Sequence, residues 1–133
     1  MKIEVASSVV GLIERFTQQE HPKEACGILL GLNNRVNRLW PAKNVHEKPI
    51  TNFEIDPQTL IDVHREMRDQ DEEILGYFHS HPKGLAMPSV VDQDRALRNN
   101  LLWAIKASEQ IRIWRDAPDG FVELPFEIFE DQE

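Results

Sequence analysis

The segment Ile74-Leu75-Gly76-Tyr77-Phe78-His79-Ser80-His81-Pro82 constrains this chain more than any other. Its apolar opening is the pattern of a strand covered on both faces. Proline has no amide hydrogen to give to a ladder and restricts the residue before it, so the strand ends at His81. Successive side chains of a strand point to opposite faces, which sends His79 and His81 to one side and Ser80 to the other. Two imidazoles at a strand end, where α/β proteins keep their sites, are placed to share a metal ion.

Lys83, Gly84 and Pro88 make a loop of the next stretch, and Ser89 then opens a helix. Ser89 and Asp92, three apart and ahead of Ala96 and Leu97, fit a capping arrangement in which each side chain satisfies an amide of the first turn. Asp92 equally completes a nitrogen, nitrogen, oxygen set with His79 and His81, the three protein ligands of a catalytic zinc whose fourth position is kept for water. Such a centre favours hydroxide near neutral pH. The capping and ligand readings both stand at this point and are compatible. The chemistry also needs a general base, and spacing alone does not choose Glu24 over Glu20, Glu54, Glu72 or Glu73.

With these residues in place, the chain resembles the JAMM (MPN+) metalloproteases, in their short bacterial stand-alone form. The signature of that family is an upstream glutamate, then H-x-H, a loop, and S-x-x-D. His79, His81 and Asp92 match its zinc ligands, and Ser89 matches the serine that stabilises the tetrahedral intermediate. Glu24, within Pro22-Lys-Glu-Ala-Cys-Gly-Ile-Leu-Leu-Gly31, matches the glutamate that serves the attacking water as base and later the leaving amine as acid. The resemblance covers the whole chain. It implies one zinc ion per chain and a cytidine-deaminase-like architecture. It also implies hydrolysis of a peptide or isopeptide bond at the C-terminal tail of a ubiquitin-like protein. Bacterial relatives of this length act on sulfur-carrier proteins of ubiquitin-like fold, which ranks such a carrier first as partner. A silent MPN-type scaffold is the alternative from another class, and filled motif positions argue against it; a zinc hydrolase of a small amide keeps the same site.

Other uses of H-x-H do not fit. A β/α-barrel amidohydrolase needs roughly 250 residues, and a cupin-like site needs a further downstream histidine. A zinc deaminase shows a later P-C-x-x-C, but Cys26 is the sole cysteine and precedes the histidines. Phosphate-loop and dinucleotide fingerprints are absent. A net charge of −8 with scattered Lys and Arg argues against nucleic acid. The 133 residues contain no long apolar stretch, and the N-terminus has no secretory pattern, so residues 1–133 read as one cytoplasmic domain with no membrane segment.

The remaining pattern is α/β. Ile3 and Val5 open a strand; Val9, Leu12, Ile13 and Phe16 recur at helical spacing through Gln19. Gly27 to Gly31 is a buried strand with Arg35 to Trp40 as hairpin partner, and Pro41 to Thr51 is a loop. Asp56-Pro57 starts a helix whose inward stripe is Leu60, Val63, His64 and Met67. Leu101 to Ile105 and Ile111 to Trp114 are strands, with Asp116 to Gly120 a turn. Val122, Leu124, Phe126 and Ile128 alternate as one half-buried strand, with Pro125 an edge or bulge marker. Glu127, Glu130, Asp131 and Glu133 form a solvated, frayed tail. The expected fold is a mixed, curved sheet flanked by helices. Cys26 reads as a buried apolar residue, His64 as packed, His21 and His46 as loop residues, and Trp40, Trp103 and Trp114 as anchors. Gly84 and Met87 are placed to shape access.

Overall fold

The computed structural model of the chain describes residues 2–132. Strand β1 (Ile3–Ala6) leads into helix α1 (Ser7–Glu20), and β2 (Cys26–Leu32) and β3 (Arg35–Ala42) form a hairpin. Asn33, at φ 59°, makes the turn between them. Helix α2 (Pro57–Met67) precedes β4 (Glu73–Ser80), and the short α3 (Val90–Arg95) precedes β5 (Leu102–Ala107). Strands β6 (Gln110–Ala117), β7 (Gly120–Leu124) and β8 (Phe126–Phe129) complete the chain.

All eight strands form one mixed sheet in the order β7-β6-β5-β4-β2-β3-β1-β8. Strand β4 runs parallel to β5, and β1 runs parallel to both β3 and β8. Strands β7 and β8 lie at opposite edges of this order, yet Pro125 alone separates them. Two residues span at most about 7 Å, so the sheet must curl until its edges meet. The single alternating strand expected from Val122 to Ile128 is therefore two strands. Pro125 withholds a ladder hydrogen and breaks the run, and each half pairs with a different neighbour. The inward face differs as well: Val122 and Ile128 are exposed, while Leu124, Phe126 and Phe129 pack against the core.

Two apolar layers cover the middle of the sheet. Helix α1 places Val9 and Ile13 on a core with Val5, Leu29, Val36, Phe78 and Ala104. On the other layer Val63 of α2 packs with Cys26, Ile28, Leu30 and Ile55. Alternate residues of β2 thus serve opposite layers, as expected for a strand buried on both faces. A Cβ at Gly76 would stand 1.9 Å from the Leu102 carbonyl oxygen, so only glycine lets β4 and β5 approach there.

Several expectations need correction. His64 is exposed, because it lies one position round the helix from Val63, outside the Leu60, Val63, Met67 stripe. Strand β3 continues through Pro41 to Ala42. Helix α3 stops at Arg95, leaving Leu97 77% exposed. The acidic tail is docked: Glu127 pairs with Lys2 at 2.8 Å, and the Asp131 carboxylate accepts from the Ser8 amide at 2.9 Å and from the Ser7 and Ser8 hydroxyls. Helix α1 has no side-chain cap of its own at Ala6, so the tail supplies an acceptor to its orphan amides. Glu133 lies outside the described residues.

Candidate metal centre

Strand β4 runs through the middle of the sheet and delivers His79 and His81 at its end, with His79 opposite Cys26 of β2 and Ile105 of β5. His79 is fully buried. Its ring stacks on Phe53 at a centroid distance of 4.4 Å and meets the edge of Trp103 at 5.6 Å. The two Nε2 atoms lie 3.0 Å apart, and each is 3.1 Å from Asp92 Oδ2. Ser80 faces the other way, as alternation requires, and its Oγ accepts from the Ala25 amide at 2.8 Å. The Ser80 amide in turn donates to the Ala25 carbonyl at 3.0 Å. This pair of bonds ties the histidine strand to the segment carrying Glu24.

Helix α3 brings Asp92. Ser89 is its N-cap: Ser89 Oγ accepts from the Asp92 amide at 3.0 Å, and the Ser89 amide donates to Asp92 Oδ2 at 2.9 Å. The capping box and the histidine-facing carboxylate coexist on one side chain. Because Ser89 Oγ uses a lone pair for the cap, its hydroxyl hydrogen is left to donate. Burial works against the charge on Asp92, but in the metal-free fold hydrogen bonds from the imidazoles in their protonated form and from the Ser89 amide outweigh it and hold its carboxyl well below the usual range.

Glu24 enters from the segment between α1 and β2. Its amide donates to Pro49 O at 2.7 Å, and its carbonyl accepts from Asn44 Nδ2 at 3.0 Å. The side chain is 4% exposed and its Oε1 is buried without a hydrogen-bond partner. One carboxylate oxygen of Glu24 and one ring nitrogen from each of His79 and His81 all lie within 4.8 Å of one another. Burial is the main cause that pushes the Glu24 carboxyl up to about 8; His81 opposes the shift and Asp92 adds to it. That value belongs to the metal-free fold; a cation among these donors favours the carboxylate, the form a general base needs.

The donor set itself calls for a cation. His81 Nδ1 stands 2.7 Å from the Leu85 carbonyl, which can only accept, so the ring hydrogen sits on Nδ1. A neutral His81 then turns a bare Nε2 lone pair toward the His79 nitrogen and the Asp92 oxygen at 3.0 and 3.1 Å. Lone pairs at this separation repel unless a positive charge lies among them. Two imidazoles and a carboxylate, with one ring oriented through its second nitrogen, are the donors and the outer support that zinc takes.

An open cleft of about 480 Å³ reaches Glu24, His81 and Ser89 and is rimmed by Ile50, Leu85 and Met87. Gly84, at φ 107°, turns the loop that carries this rim. A larger groove of about 550 Å³ runs behind Asp92 along Phe53, Tyr77 and Trp103, and it touches none of Glu24, His81 and Ser89. Cys26 is not a competing nucleophile: burial above all pushes its thiol up to about 12. His21 and His46 lie in loops.

All five residues singled out in the sequence therefore meet at one end of the sheet. Reading the sequence missed their supports. Phe53, which stacks on His79, and Asn44, which stitches the loop before α2 to Glu24, sit in a segment without periodicity. The Leu85 acceptor is backbone and leaves no trace in residue type.

A curled mixed sheet with H-x-H at a central strand end and S-x-x-D opening the next helix defines a JAB/MPN-type α/β protein. Residues 6–117 match the prokaryotic homologs of the JAB domain, and the chain belongs to that family. It is 38% identical over 74 residues to a probable TtuB-protein conjugate cleaving protease of Thermus thermophilus, covering 56% of this chain. The match spans 49% of that relative, about half its length. It is 26% identical over 133 residues to the CysO-cysteine peptidase of Mycobacterium tuberculosis, covering 95% of this chain and 90% of the relative. The fold superposes with a TM-score of 0.65 on the structure described as a JAMM metalloprotease-like zinc site in the proteasome and signalosome. There the identity is 16% and the coverage 98% of this chain and all of the other.

Proposed function

We propose that the chain is a zinc metallopeptidase that hydrolyses a peptide or isopeptide bond at the C-terminal tail of a ubiquitin-like sulfur-carrier protein in the cytoplasm. The observation that carries this reading is the convergence of the His79 and His81 Nε2 atoms on Asp92 Oδ2 at 3.1 Å, with the unpartnered Glu24 carboxylate facing the same nitrogens. His79, His81 and Asp92 would hold the ion. Bound there, zinc would supply Lewis-acid polarisation of the carbonyl and a water of lowered pKa. Glu24 takes the proton of the attacking water and returns it to the departing amine nitrogen, so hydroxyl goes to the acyl carbon and hydrogen to the amine. The Ser89 hydroxyl donates to the oxygen that becomes negative as the carbonyl carbon turns tetrahedral.

The substrate class is supported by the relatives, one named as a probable TtuB-protein conjugate cleaving protease and another as a CysO-cysteine peptidase. It is also supported by the rim of the cleft, where Ile50, Leu85, Met87 and Val90 are 42–77% exposed and offer an apolar seat for a protein partner. Metal analysis and mass spectrometry of carrier fusions test the reading together. Wild type binds one zinc and releases the fused tail. His79→Ala loses the zinc, whereas Glu24→Gln keeps it and cleaves nothing. Zinc retained by His79→Ala would remove the ligand assignment, and turnover by Glu24→Gln would remove the base.

A further inference from the structure

Strand β2 begins at Cys26, so the peptide of Glu24 lies ahead of the sheet ladder and its backbone groups must be satisfied elsewhere. The loop between β3 and α2 satisfies both: Pro49 O accepts from the Glu24 amide at 2.7 Å, and the Glu24 carbonyl accepts from Asn44 Nδ2 at 3.0 Å. Asn44 is the centre of that loop. Its Nδ2 also donates to the Asn52 carbonyl at 3.0 Å, and its Oδ1 accepts from the His46 and Glu54 amides at 3.1 and 3.0 Å. Carbonyls on one side and amides on the other call for a group with two donors and two acceptor sites, which Asn supplies; Asp lacks the donors, and Gln is longer by a methylene. The residues on either side of Phe53 are thus bonded to Asn44. The Phe53 ring stacks on His79 at 4.4 Å, and its carbonyl accepts from Arg95 Nη1 of α3 at 2.9 Å. One side chain therefore links the segment that carries the base to the segment that braces a metal-facing histidine.

We propose that Asn44 is a positioning residue: it sets where the Glu24 carboxylate stands relative to the His79 and His81 nitrogens. The inference rests on the peptidase reading and adds a residue to it. The Glu24 side chain has no anchor at Oε1, which is buried without a partner, so its aim is inherited from its main chain. Ser80 holds the next peptide, at Ala25, by bonds of 2.8 and 3.0 Å, which leaves the Glu24 peptide itself to the loop. The loop closes through its own backbone, where the Val45 amide donates to the Glu54 carbonyl at 2.9 Å and the Asp56 amide to the Lys43 carbonyl at 3.0 Å. The bond from Asn44 Nδ2 to Glu24 O is surplus to that closure, and what it fixes is the base.

Turnover and a metal probe test it separately. Asn44→Asp keeps the shape and both acceptors but turns a carboxylate oxygen toward the Glu24 and Asn52 carbonyls; Asn44→Ala removes donors and acceptors without adding charge. On a carrier fusion each variant should keep the zinc content and KM of wild type, while kcat per bound zinc falls roughly 10- to 100-fold, the scale of a small misplacement of a reacting group. Cobalt(II) in place of zinc gives a readout apart from activity, because its visible absorption responds to the groups that face the ion. The Asn44→Asp spectrum should depart from wild type in the same direction as that of Glu24→Gln. A role in folding alone would lower the melting temperature and the zinc content and leave kcat per bound zinc unchanged, and that result overturns the proposal. Failure of both variants to fold overturns it too, since Asn44 then serves the fold, and so do cobalt spectra identical to wild type. Wild type and both variants cleaving a tail alike keeps the peptidase and removes Asn44 from it. Wild type that cleaves no tail removes the peptidase, and the cobalt spectra then decide by themselves whether Asn44 aims Glu24.

Discussion

Ser89 caps α3 through a lone pair of its hydroxyl oxygen, and the proposed mechanism gives the hydrogen of the same hydroxyl to the oxyanion. The two tasks separate by substitution. Ser89→Ala loses both, costing about 1 kcal/mol of helix capping and about 3–4 kcal/mol of barrier, a 10²–10³-fold fall in kcat. Ser89→Asn restores a cap acceptor without the hydroxyl, so its melting temperature should return toward wild type while kcat stays low. A kcat that recovers together with stability would reduce Ser89 to a cap. Glu24 offers a test by pH. Its carboxyl in the metal-free fold is raised from an ordinary 4.5 to about 8, chiefly by burial, so the folded state binds the proton more tightly than the unfolded one. Stability of the metal-free chain is therefore greatest below about 4.5 and is lost as pH rises toward 8. Metal-free Glu24→Gln should escape that loss and melt above metal-free wild type at pH 8, with little difference at pH 4.5; equal slopes with pH would refute the shift. At this scale the sequence was legible where chemistry is written in residue type, at His79, His81, Asp92 and Ser89. Choosing Glu24 among the acids took family likeness, because a carboxylate that folds back from 55 residues before His79 leaves no local spacing.

Helix α3, six residues long, is too short to persist by itself. Strand β6 holds it from both sides. Trp114 Nε1 donates to the Ala86 carbonyl at 3.1 Å, fixing the loop before the helix, next to the Leu85 acceptor of His81. Two residues on, Asp116 is fully buried and Oδ2 accepts from the Leu97 and Arg98 amides at 3.1 and 3.0 Å, fixing the chain after it. Arg98 and Asn100 there adopt positive φ, a course that the apolar pattern of Ala96 and Leu97 did not announce. That is why the helix was legible at its start, where the capping box lies, and not at its end, which a carboxylate from a distant strand sets. Asp116→Ala leaves two amides without their acceptor, at roughly 1–3 kcal/mol each where buried. It should also lower zinc affinity by at least tenfold, because Asp92 loses its placement. Trp114→Phe keeps the ring and drops only the donor, so a smaller loss of affinity with a nearly unchanged melting temperature is expected. Unchanged zinc affinity in both variants would show that the capping box alone places Asp92.

Closure of the sheet organises the whole molecule. Once Pro125 splits the last apolar run, β7 completes one edge and β8 the other, and β8 lies parallel to the opening strand through the Ile3–Phe126 to Ala6–Phe129 register. The pairing brings the end of the described chain to the start of α1. Period-2 alternation foretold strand character on both sides of Pro125, but it carries no information on which neighbour each half joins; Leu124 and Phe126 face the core as the alternation expects, while Val122 and Ile128 at the two ends are left exposed. The acidic tail then has a job that its composition concealed, with Asp131 capping a helix that begins in Ser7-Ser8 and lacks a cap from its own flank. Hydrogen bonds from the Ser8 hydroxyl and amide, with exposure keeping the desolvation cost small, hold the Asp131 carboxyl below its usual 3.8. A lowered folded value means that its stabilisation is present above 3.8 and disappears as pH falls through the folded value. Asp131→Asn keeps an acceptor and removes the charge, so it isolates the electrostatic part of the cap. Its melting temperature should lie below wild type at pH 7 in low salt, converge with wild type as the solution is acidified through the lowered folded value of Asp131, and also converge at high salt at pH 7. A deficit at pH 7 that persists unchanged in acid would mean that Asp131 contributes through shape and hydrogen bonding alone. No deficit at pH 7 would mean that closure of the sheet through β8, without the tail's charge, holds the two ends of the chain together.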